Sequence, residues 1–212
     1  NEELFDSLIS NEIDQKIGIW NSKKLGEACD VSRGGSPRPI DNFLTDNPKG
    51  INWIKIGDVK EGEKYITSTK ERIKSEGLSK TRLVKPGDFI LSNSMSFGRP
   101  YILKITGAIH DGWLLIHVNE SLYPDFLYYL LGSQWIKSQF KRAANGAVVN
   151  NLNSAAVRNV KIPIPTLEAQ HTIVEKLKTI EDYKKLMLKQ RSLLKELFDS
   201  VLYKSMKGEM DN

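Results

Sequence analysis

The sequence predicts a mixed domain of the α+β class, followed by one long α-helix suited to forming a coiled coil. Three observations support this organisation. Short apolar segments bounded by Gly and Pro recur between residues 20 and 165, which is typical of short strands. Residues 124–142 carry apolar side chains at helical spacing, which indicates a helix within the same region. Residues 167–206 contain neither Pro nor Gly, so one uninterrupted helix can form there.

The middle of the chain combines predicted strands with one predicted helix. Strands are expected at 51–56, at 88–92 and, as a longer element, at 108–118, because each is rich in apolar residues and flanked by turn formers. A helix is expected at 124–142, with Pro124 in its first turn. Residues 33–39 and 145–151 are rich in Gly, Pro and Asn and are predicted to be loops.

The long helix is expected at residues 166–208, with Thr166 as N-cap and a short tail at 209–212. At 1.5 Å per residue its length is about 60 Å. A helix this long needs a partner for its apolar stripe, and a coiled coil is the usual solution. The alternative is a helix folded back onto its own domain. The predicted pairing residues recur at spacings of mostly three or four and are Ile173, Leu177, Ile180, Tyr183, Met187, Leu194, Phe198 and Val201.

The beginning of the chain repeats a sequence near its end. Residues 3–8 (Glu-Leu-Phe-Asp-Ser-Leu) match residues 196–201 (Glu-Leu-Phe-Asp-Ser-Val) at five of six positions. We interpret this as a tandem architecture, in which each unit is a globular domain followed by a long helix. Residues 1–15 are then expected to be the end of a preceding helix, and residues 16–165 the globular domain.

Charge and composition indicate what kind of molecule the chain binds and where it works. Residues 1–15 contain five acidic side chains and no Lys or Arg, whereas residues 16–165 contain 22 basic and 13 acidic side chains. A basic globular segment favours a phosphate-rich partner such as nucleic acid, although a basic surface without that role is the alternative. No apolar run is long enough for a membrane helix. Cys29 is the sole cysteine, so a reducing, cytoplasmic location is expected.

No catalytic, metal or cofactor site is predicted. The Asn/Asp-Pro-Pro-aromatic motif of amino-methyltransferases is missing, because Lys49 follows Asn47 and Pro48. The three histidines have no metal-ligand spacing. His110 and Asp111 are adjacent, but no Ser or Cys nucleophile motif accompanies them.

The order of several short motifs resembles the specificity subunit of type I restriction–modification systems. They cover nearly the whole chain, and the one departure is Ala169, where the family commonly has Glu. The motifs are Trp20 with 24–27 (Lys-Leu-Gly-Glu), 33–37 (Arg-Gly-Gly-Ser-Pro), 53–58 (Trp-Ile-Lys-Ile-Gly-Asp), 85–92 (Lys-Pro-Gly-Asp-Phe-Ile-Leu-Ser), 98–99 (Gly-Arg), 111–112 (Asp-Gly), 152–153 (Leu-Asn), 162–165 (Ile-Pro-Ile-Pro) and 167–170 (Leu-Glu-Ala-Gln).

The resemblance implies a non-catalytic subunit that binds double-stranded DNA. In that family two target-recognition domains each read one half of a bipartite sequence, and their helices pair antiparallel as a spacer. The family's subunit carries modification subunits, which use S-adenosylmethionine, and a restriction subunit, which uses ATP, so this chain is expected to dock these partners and to hold no cofactor. It would be one half, pairing with a second half-subunit or with another copy of itself.

Three basic or polar surfaces are the candidate DNA contacts, because Arg and Asn suit base edges and Lys suits phosphate. The residues are Arg33, Ser36 and Arg38 in the first; Lys70, Arg72, Lys74, Lys80 and Arg82 in the second; and Ser94, Ser96, Arg99, Asn145, Asn150 and Asn151 in the third. Two alternatives remain: a recognition-domain fragment of a nuclease or methyltransferase, and a coiled-coil adaptor that binds no DNA.

Overall fold

The computed structural model describes residues 2–59, 62–93, 98–145 and 152–207. Within these ranges short turns and 3-10 helices connect six α-helices and eleven β-strands. The helices are α1 (Glu2–Asp14), α2 (Leu25–Ala28), α3 (Pro124–Gly132), α4 (Gln134–Asn145), α5 (Ser154–Asn159) and α6 (Leu167–Lys207). The strands are β1 (Ser22–Lys24), β2 (Cys29–Arg33), β3 (Ile51–Ile54), β4 (Tyr65–Ile66), β5 (Glu71–Ile73), β6 (Arg82–Val84), β7 (Phe89–Ser92), β8 (Pro100–Leu103), β9 (Gly107–Ile109), β10 (Trp113–Val118) and β11 (Lys161–Pro163). The predicted mixed class with a long final helix is confirmed.

In the described part of the chain the strands form two larger sheets and one small one. The five-stranded sheet has the order β2-β10-β7-β8-β4, and the four-stranded sheet has the order β5-β3-β9-β6. Strands β1 and β11 pair with each other and bring the two ends of the globular domain together. Neighbouring strands are antiparallel except in the pairs β3–β9 and β4–β8.

The five-stranded sheet is buried on both faces. Side chains alternate between the two faces of a strand, and β7 shows this clearly. Phe89 and Leu91 join the large core cluster that includes the apolar residues of the helices. Ile90 joins a second cluster with Ile54 and Ile109 of the four-stranded sheet. The domain is therefore layered, with helices on one face of the five-stranded sheet and the second sheet on the other.

The predicted strand at 108–118 is two strands in different sheets. β9 ends at Ile109 and β10 begins at Trp113. Between them the backbone N–H of Trp113 donates to the carbonyl of His110 (3.0 Å), and the N–H of Gly112 donates to His110 Nδ1 (2.9 Å). This turn was hidden in the sequence because apolar residues flank it on both sides. It links the two sheets, and it places His110, Asp111 and Gly112 at their junction.

The predicted helix at 124–142 is also two helices. Ser133 has extended backbone angles (φ −68°, ψ 154°) and separates α3 from α4. Its hydroxyl accepts a hydrogen bond from the N–H of Ile136 (3.3 Å), and the N–H of Gln134 donates to Ser10 Oγ of α1 (2.9 Å). Polar groups from Ser133 and from a distant helix thus satisfy the first amide donors of α4, which a helix start requires.

The beginning of α6 packs on its own domain. Ile173 and Leu177 are 3% and 0% exposed and belong to the large core cluster, and Ile180 packs against that cluster. The sequence assigned all three residues to pairing with a partner helix. The pairing role of Ile180 stays a prediction, whereas Ile173 and Leu177 lie instead in the domain core. The reason is that α3 and α1 both contact this part of α6, so the first turns complete the domain core. Folding back was the alternative that the sequence left open.

The rest of α6 presents its apolar stripe to solvent. Tyr183, Leu194 and Phe198 are 56%, 65% and 66% exposed, and Met187 and Val201 are also exposed. A stripe of this kind along a helix is the usual surface for a second helix. Its pairing role stays a prediction.

The structure describes the first of the predicted terminal segments but not the predicted tail. α1 (Glu2–Asp14) is helical as expected for residues 1–15, and its identity as the end of a preceding unit stays a prediction. The predicted tail at 209–212 lies outside the described residues. None of the helices in the described ranges has the length and apolar character needed to cross a membrane.

Candidate nucleic-acid interface

The loop after β2 passes through a gap that admits no side chain at two positions. A Cβ on Gly34 would lie 2.3 Å from the carbonyl oxygen of His110, and a Cβ on Gly35 would lie 2.2 Å from that of Lys80. The two glycine N–H groups donate to the carbonyls of Trp113 (2.9 Å) and Ile109 (3.1 Å), respectively. The Gly-Gly pair is therefore required by close backbone approach, and it anchors the loop beside the turn between β9 and β10.

This anchoring brings the first predicted surface together around Asp111. Ser36 Oγ donates to Asp111 Oδ1 (2.8 Å), and Arg33 Nε donates to the Asp111 carbonyl (3.0 Å). Arg38 Nη2 lies 3.7 Å from Asp111 Oδ2, and the Arg38 side chain is 80% exposed. The predicted residues Arg33, Ser36 and Arg38 thus share one partner, which the sequence included in a motif but did not assign to the interface.

Two further side chains orient Asp111. His110 Nδ1 accepts the N–H of Gly112 (2.9 Å), and His110 Nε2 lies 3.0 Å from Asp111 Oδ1. Asn93, which is buried, donates from Nδ2 to the Asp111 carbonyl (2.9 Å). Asn93 follows β7 directly, and position at a strand end is the only sequence signal that could have identified it.

The surroundings of Asp111 favour its charged form. Partial burial opposes ionisation, but the Ser36 hydroxyl, followed by the charges of His110, Arg33 and Arg38, outweighs it and holds the pKa of Asp111 below its ordinary value. The ionised carboxylate attracts the exposed Arg38 side chain, whereas Arg33 binds the backbone carbonyl of the same residue. The carboxylate can also accept a hydrogen bond from the amino group of cytosine.

The Asp111 cluster borders a cleft of about 810 Å³. Its lining combines the partly exposed apolar side chains of Ile40 and Leu44 with the exposed Arg38. Lys55 and Glu71, which form an ion pair, lie at the same cleft. The described lining residues are Ser36, Pro37, Arg38, Pro39, Ile40, Asp41, Leu44, Trp53, Lys55, Glu71 and His110. Apolar surface beside cationic donors suits contact with base edges, including the methyl group of thymine.

The second predicted surface is divided between two edges of the four-stranded sheet. β5 and β6 are the edge strands, so Arg72 and Arg82 lie on strands about 14 Å apart, three strand spacings. Lys80 and Arg82 adjoin the glycine loop, because Gly35 lies against the Lys80 carbonyl. Lys70 is at the opposite edge, beside β5. The structure therefore joins Lys80 and Arg82 to the first surface and separates Lys70 and Arg72 from it.

Several cations of this second surface also contact their own chain. Lys74 Nζ donates to the Asn42 carbonyl (2.8 Å), and Arg72 Nη1 donates to the Gly50 carbonyl (3.1 Å). Lys80 Nζ lies 5.3 Å from the centre of the Phe43 ring. These contacts stabilise the segment between residues 42 and 50. DNA binding by the five cations stays a prediction.

Arg99 and Asn145 are the members of the third predicted surface that the structure describes. Ser94, Ser96, Asn150 and Asn151 lie outside the described residues. Asn145 is the last residue of α4. Arg99 is partly buried just before β8, and its N–H donates to Ser92 Oγ (3.1 Å).

A pair of ion pairs around Asp125, which we call the Asp125 joint, connects the globular domain to α6 and was not predicted from the sequence. Lys64 and Lys178 contact the two carboxylate oxygens of Asp125 at 2.8 and 2.7 Å. Burial opposes the charge of Asp125, but the two ammonium groups, with Lys178 contributing most, hold its pKa below the ordinary value. These residues connect β4, α3 and α6. The sequence contains no signal for this joint, because its three members are far apart along the chain.

Gln170, the last residue of the motif at 167–170, has a structural role at the start of α6. Its side chain is fully buried; Oε1 accepts the N–H of Tyr123 (2.7 Å), and Nε2 donates to the carbonyls of Ser121 (3.0 Å) and Pro165 (2.9 Å). A glutamine presents both an acceptor and two donors, which this site needs. It therefore fixes the direction in which α6 leaves the domain.

The described residues include no group of His, Cys, Asp or Glu side chains that could hold a metal ion. Cys29 is buried, and desolvation raises its pKa to about 12, so its thiol is not activated as a nucleophile.

Comparison with known proteins identifies the family of this architecture. The family model described as "Type I restriction modification DNA specificity domain" matches residues 18–196. The type I restriction enzyme MjaVIII specificity subunit of Methanocaldococcus jannaschii is 24% identical in an alignment 214 residues long, which covers 96% of this chain and 49% of that protein. The chain spans about half the length of the curated relatives it matches.

Solved structures share the fold. The HsdS subunit from Thermoanaerobacter tengcongensis aligns with a TM-score of 0.71 and 22% identity, covering 99% of this chain and 51% of that one. A chain from a structural study of complex assembly and conformational transition in the type I R-M system aligns with a TM-score of 0.75, 22% identity, and coverage of 99% and 52%.

Proposed function

Because the chain belongs to the type I restriction modification DNA specificity domain family, we propose that its globular domain reads one half of a bipartite DNA target for a type I restriction–modification complex. The observation that carries the proposal is the convergence of Arg33, Ser36 and Arg38 on Asp111 beside an open cleft. Cations held at defined places on a basic domain are what sequence readout in the major groove requires.

Recognition then divides between two kinds of contact. Exposed cations such as Lys80 and Arg82 neutralise phosphates and set the register of the domain on the duplex. The Asp111 cluster supplies donors and one acceptor to base edges, where each base pair has its own pattern. Arg38 is the candidate for guanine, because its guanidinium can donate to two acceptors at once.

Partner subunits supply the chemistry in this proposal. Modification subunits would transfer the methyl group from S-adenosylmethionine, and a restriction subunit would use ATP, in keeping with the resemblance and with the type I relatives. The chain itself would hold no cofactor and catalyse nothing. It would work in the cytoplasm, and its exposed α6 stripe would pair antiparallel with the helix of a second half-subunit or of another copy.

The test is reconstitution with the modification subunit of the same system. We expect methylation of a bipartite sequence, mapped by sequencing that detects methylated bases, and a changed half-site when the globular domain is exchanged. A methylation pattern independent of this chain would contradict the proposal. Binding of S-adenosylmethionine by the isolated chain would favour the enzyme-fragment alternative. Failure to bind any duplex at low salt, alone or with partners, would favour the adaptor alternative.

A further inference from the structure

The first helix and the end of the last helix are related in sequence. Residues 3–8 and 196–201 agree at five of six positions, at an offset of 193 residues. Both segments are helical. By this offset α1 corresponds to residues 195–207, the last described turns of α6.

α1 packs against the beginning of α6. Glu12 lies 3.6 Å from Lys176 Nζ, and Ile13 shares the large core cluster with Ile173 and Leu177. Burial decreases away from the domain along both helices: Ile13 is 0% exposed and Leu8 is 44% exposed, as α6 also becomes exposed beyond its first turns. Because α1 runs toward the domain and α6 runs away from it, the two helices are antiparallel.

The contact between α1 and α6 defines a register for two copies of α6. By the offset, Glu12 corresponds to Ser205, so Ser205 of a second copy would lie opposite Lys176. Steps of three or four residues along both helices then give the opposing pairs Val201–Ile180, Phe198–Tyr183, Leu194–Met187 and Arg191–Gln190. The first three pairs are apolar on both sides, as the core of an antiparallel coiled coil requires.

We propose that α1 occupies the site on α6 at which the end of α6 from a second copy docks, so that α1 and this helix end exclude each other. The inference rests on the helix pairing of the proposed function. It adds the register in which two copies of α6 pair, and it identifies α1 as the segment that competes with this pairing. The two segments agree at five of six positions in sequence, but α1 is covalently attached and therefore present at high effective concentration. Self-pairing is accordingly weakened where α1 packs on α6, around Ile173, Lys176 and Leu177, while residues 187–194 remain accessible.

Truncation of α1 tests the competition. Removal of residues 1–9 deletes the part of α1 that corresponds to 195–202, and it retains Ser10, Glu12 and Ile13, which bind the domain. We expect the dimer dissociation constant from sedimentation equilibrium to fall at least tenfold. Leu8→Glu in the full chain should act in the same direction, because it places a charge at the exposed end of α1. Ser7→Glu, an exposed neighbour, is the matched control.

Cysteine pairs test the register. Met187→Cys with Leu194→Cys should form a covalent dimer on mild oxidation, because each new cysteine lies opposite the other in a second copy. Met187→Cys with Val201→Cys is the control, since these positions are displaced by seven residues, about 10 Å, in the proposed register. Neither pair can bridge within one helix, where the Cα atoms are too far apart. The buried Cys29 does not compete, because its pKa is raised to about 12.

Unchanged or weaker association of both α1 variants, with native circular dichroism, would overturn the competition. Equal cross-linking of the two cysteine pairs would overturn the register. DNA binding measured on the same preparations separates this inference from the proposed function: loss of duplex binding with retained pairing would refute target recognition alone, and the reverse result would refute the helix inference alone.

Discussion

Ser36 Oγ donates a hydrogen bond to Asp111 Oδ1 at 2.8 Å, although 75 residues separate the two in sequence. The bond joins the glycine loop after β2 to the turn between β9 and β10. Arg33 and Arg38 both contact the same aspartate, and Arg38 lines the adjoining cleft. The candidate interface therefore depends on an acidic residue in a basic domain, and this residue gives the first prediction.

Asp111→Asn should change how DNA is bound without unfolding the domain. The amide still accepts from Ser36, but the charge that holds Arg38 is lost, so Arg38 becomes available to phosphates. We expect tighter binding to arbitrary duplexes and relaxed sequence preference, measured by fluorescence anisotropy and by mapping methylated sites. Asp46→Asn, at an exposed position, is the control. Equal affinity and an identical methylated motif for Asp111→Asn would contradict the assigned role.

Arg82→Ala should weaken binding to all sequences alike. A residue that neutralises one phosphate contributes about 0.9 to the slope of log K against log salt, so the slope should decrease by about that amount. Lys189→Ala, on the exposed part of α6, should leave the slope unchanged. Titrations at several salt concentrations measure both variants. If the two slopes equal that of the unmodified chain, Arg82 does not contact phosphate.

Gly35→Ala should destabilise the domain by about 1–3 kcal/mol, the usual range for overpacking. Its Cβ would lie 2.2 Å from the backbone oxygen of Lys80, which cannot move without disturbing β6. Gly57→Ala is the matched control, because a Cβ there meets nothing within 4 Å, and its effect should stay within about 1 kcal/mol. Urea unfolding compares the two. Similar midpoints would show that the close approach is not required.

Gln170→Ala should cost about 1–3 kcal/mol, because it leaves buried backbone groups of residues 121, 123 and 165 without their partner. Gln190→Ala removes the same side chain from an exposed position of the same helix and should change the free energy of unfolding little. Chemical denaturation measures both. The assignment of Gln170 as the residue that orients α6 requires a clear difference between them.

The Asp125 joint predicts an acid dependence of stability. The pKa of Asp125 is lowered in the folded chain, mainly by Lys178 and Lys64. Its stabilising contribution is therefore complete above the unfolded pKa of about 3.9 and is lost as pH falls through the lower folded value.

Asp125→Asn should be less stable than the unmodified chain at pH 7, and the difference should shrink below about pH 4. Denaturation midpoints between pH 7 and pH 3 measure this, with Asp46→Asn as the control. A difference that stays constant over this range would refute the charge-dependent role of Asp125.

Sequence alone was sufficient where the signal lies within one segment. The length of α6 follows from its apolar period and from the lack of Pro and Gly between residues 167 and 206. The strands around Ile51 and Phe89 follow from short apolar runs between turn formers. The exposed stripe at Met187, Leu194 and Phe198 follows from the same period, because a helix is straight enough for local spacing to define its faces.

Tertiary structure decided everything that depends on contacts between distant residues. Periodicity cannot distinguish the part of a stripe that its own domain buries from the part left exposed, and so Ile173 and Leu177 were assigned to a partner helix. Asp111 acquires its role from Arg33, Ser36 and Arg38, and Asp125 from Lys64 and Lys178. Such clusters form when the chain closes long loops, and the information that places their members side by side lies in the packing of the sheets rather than in any local pattern.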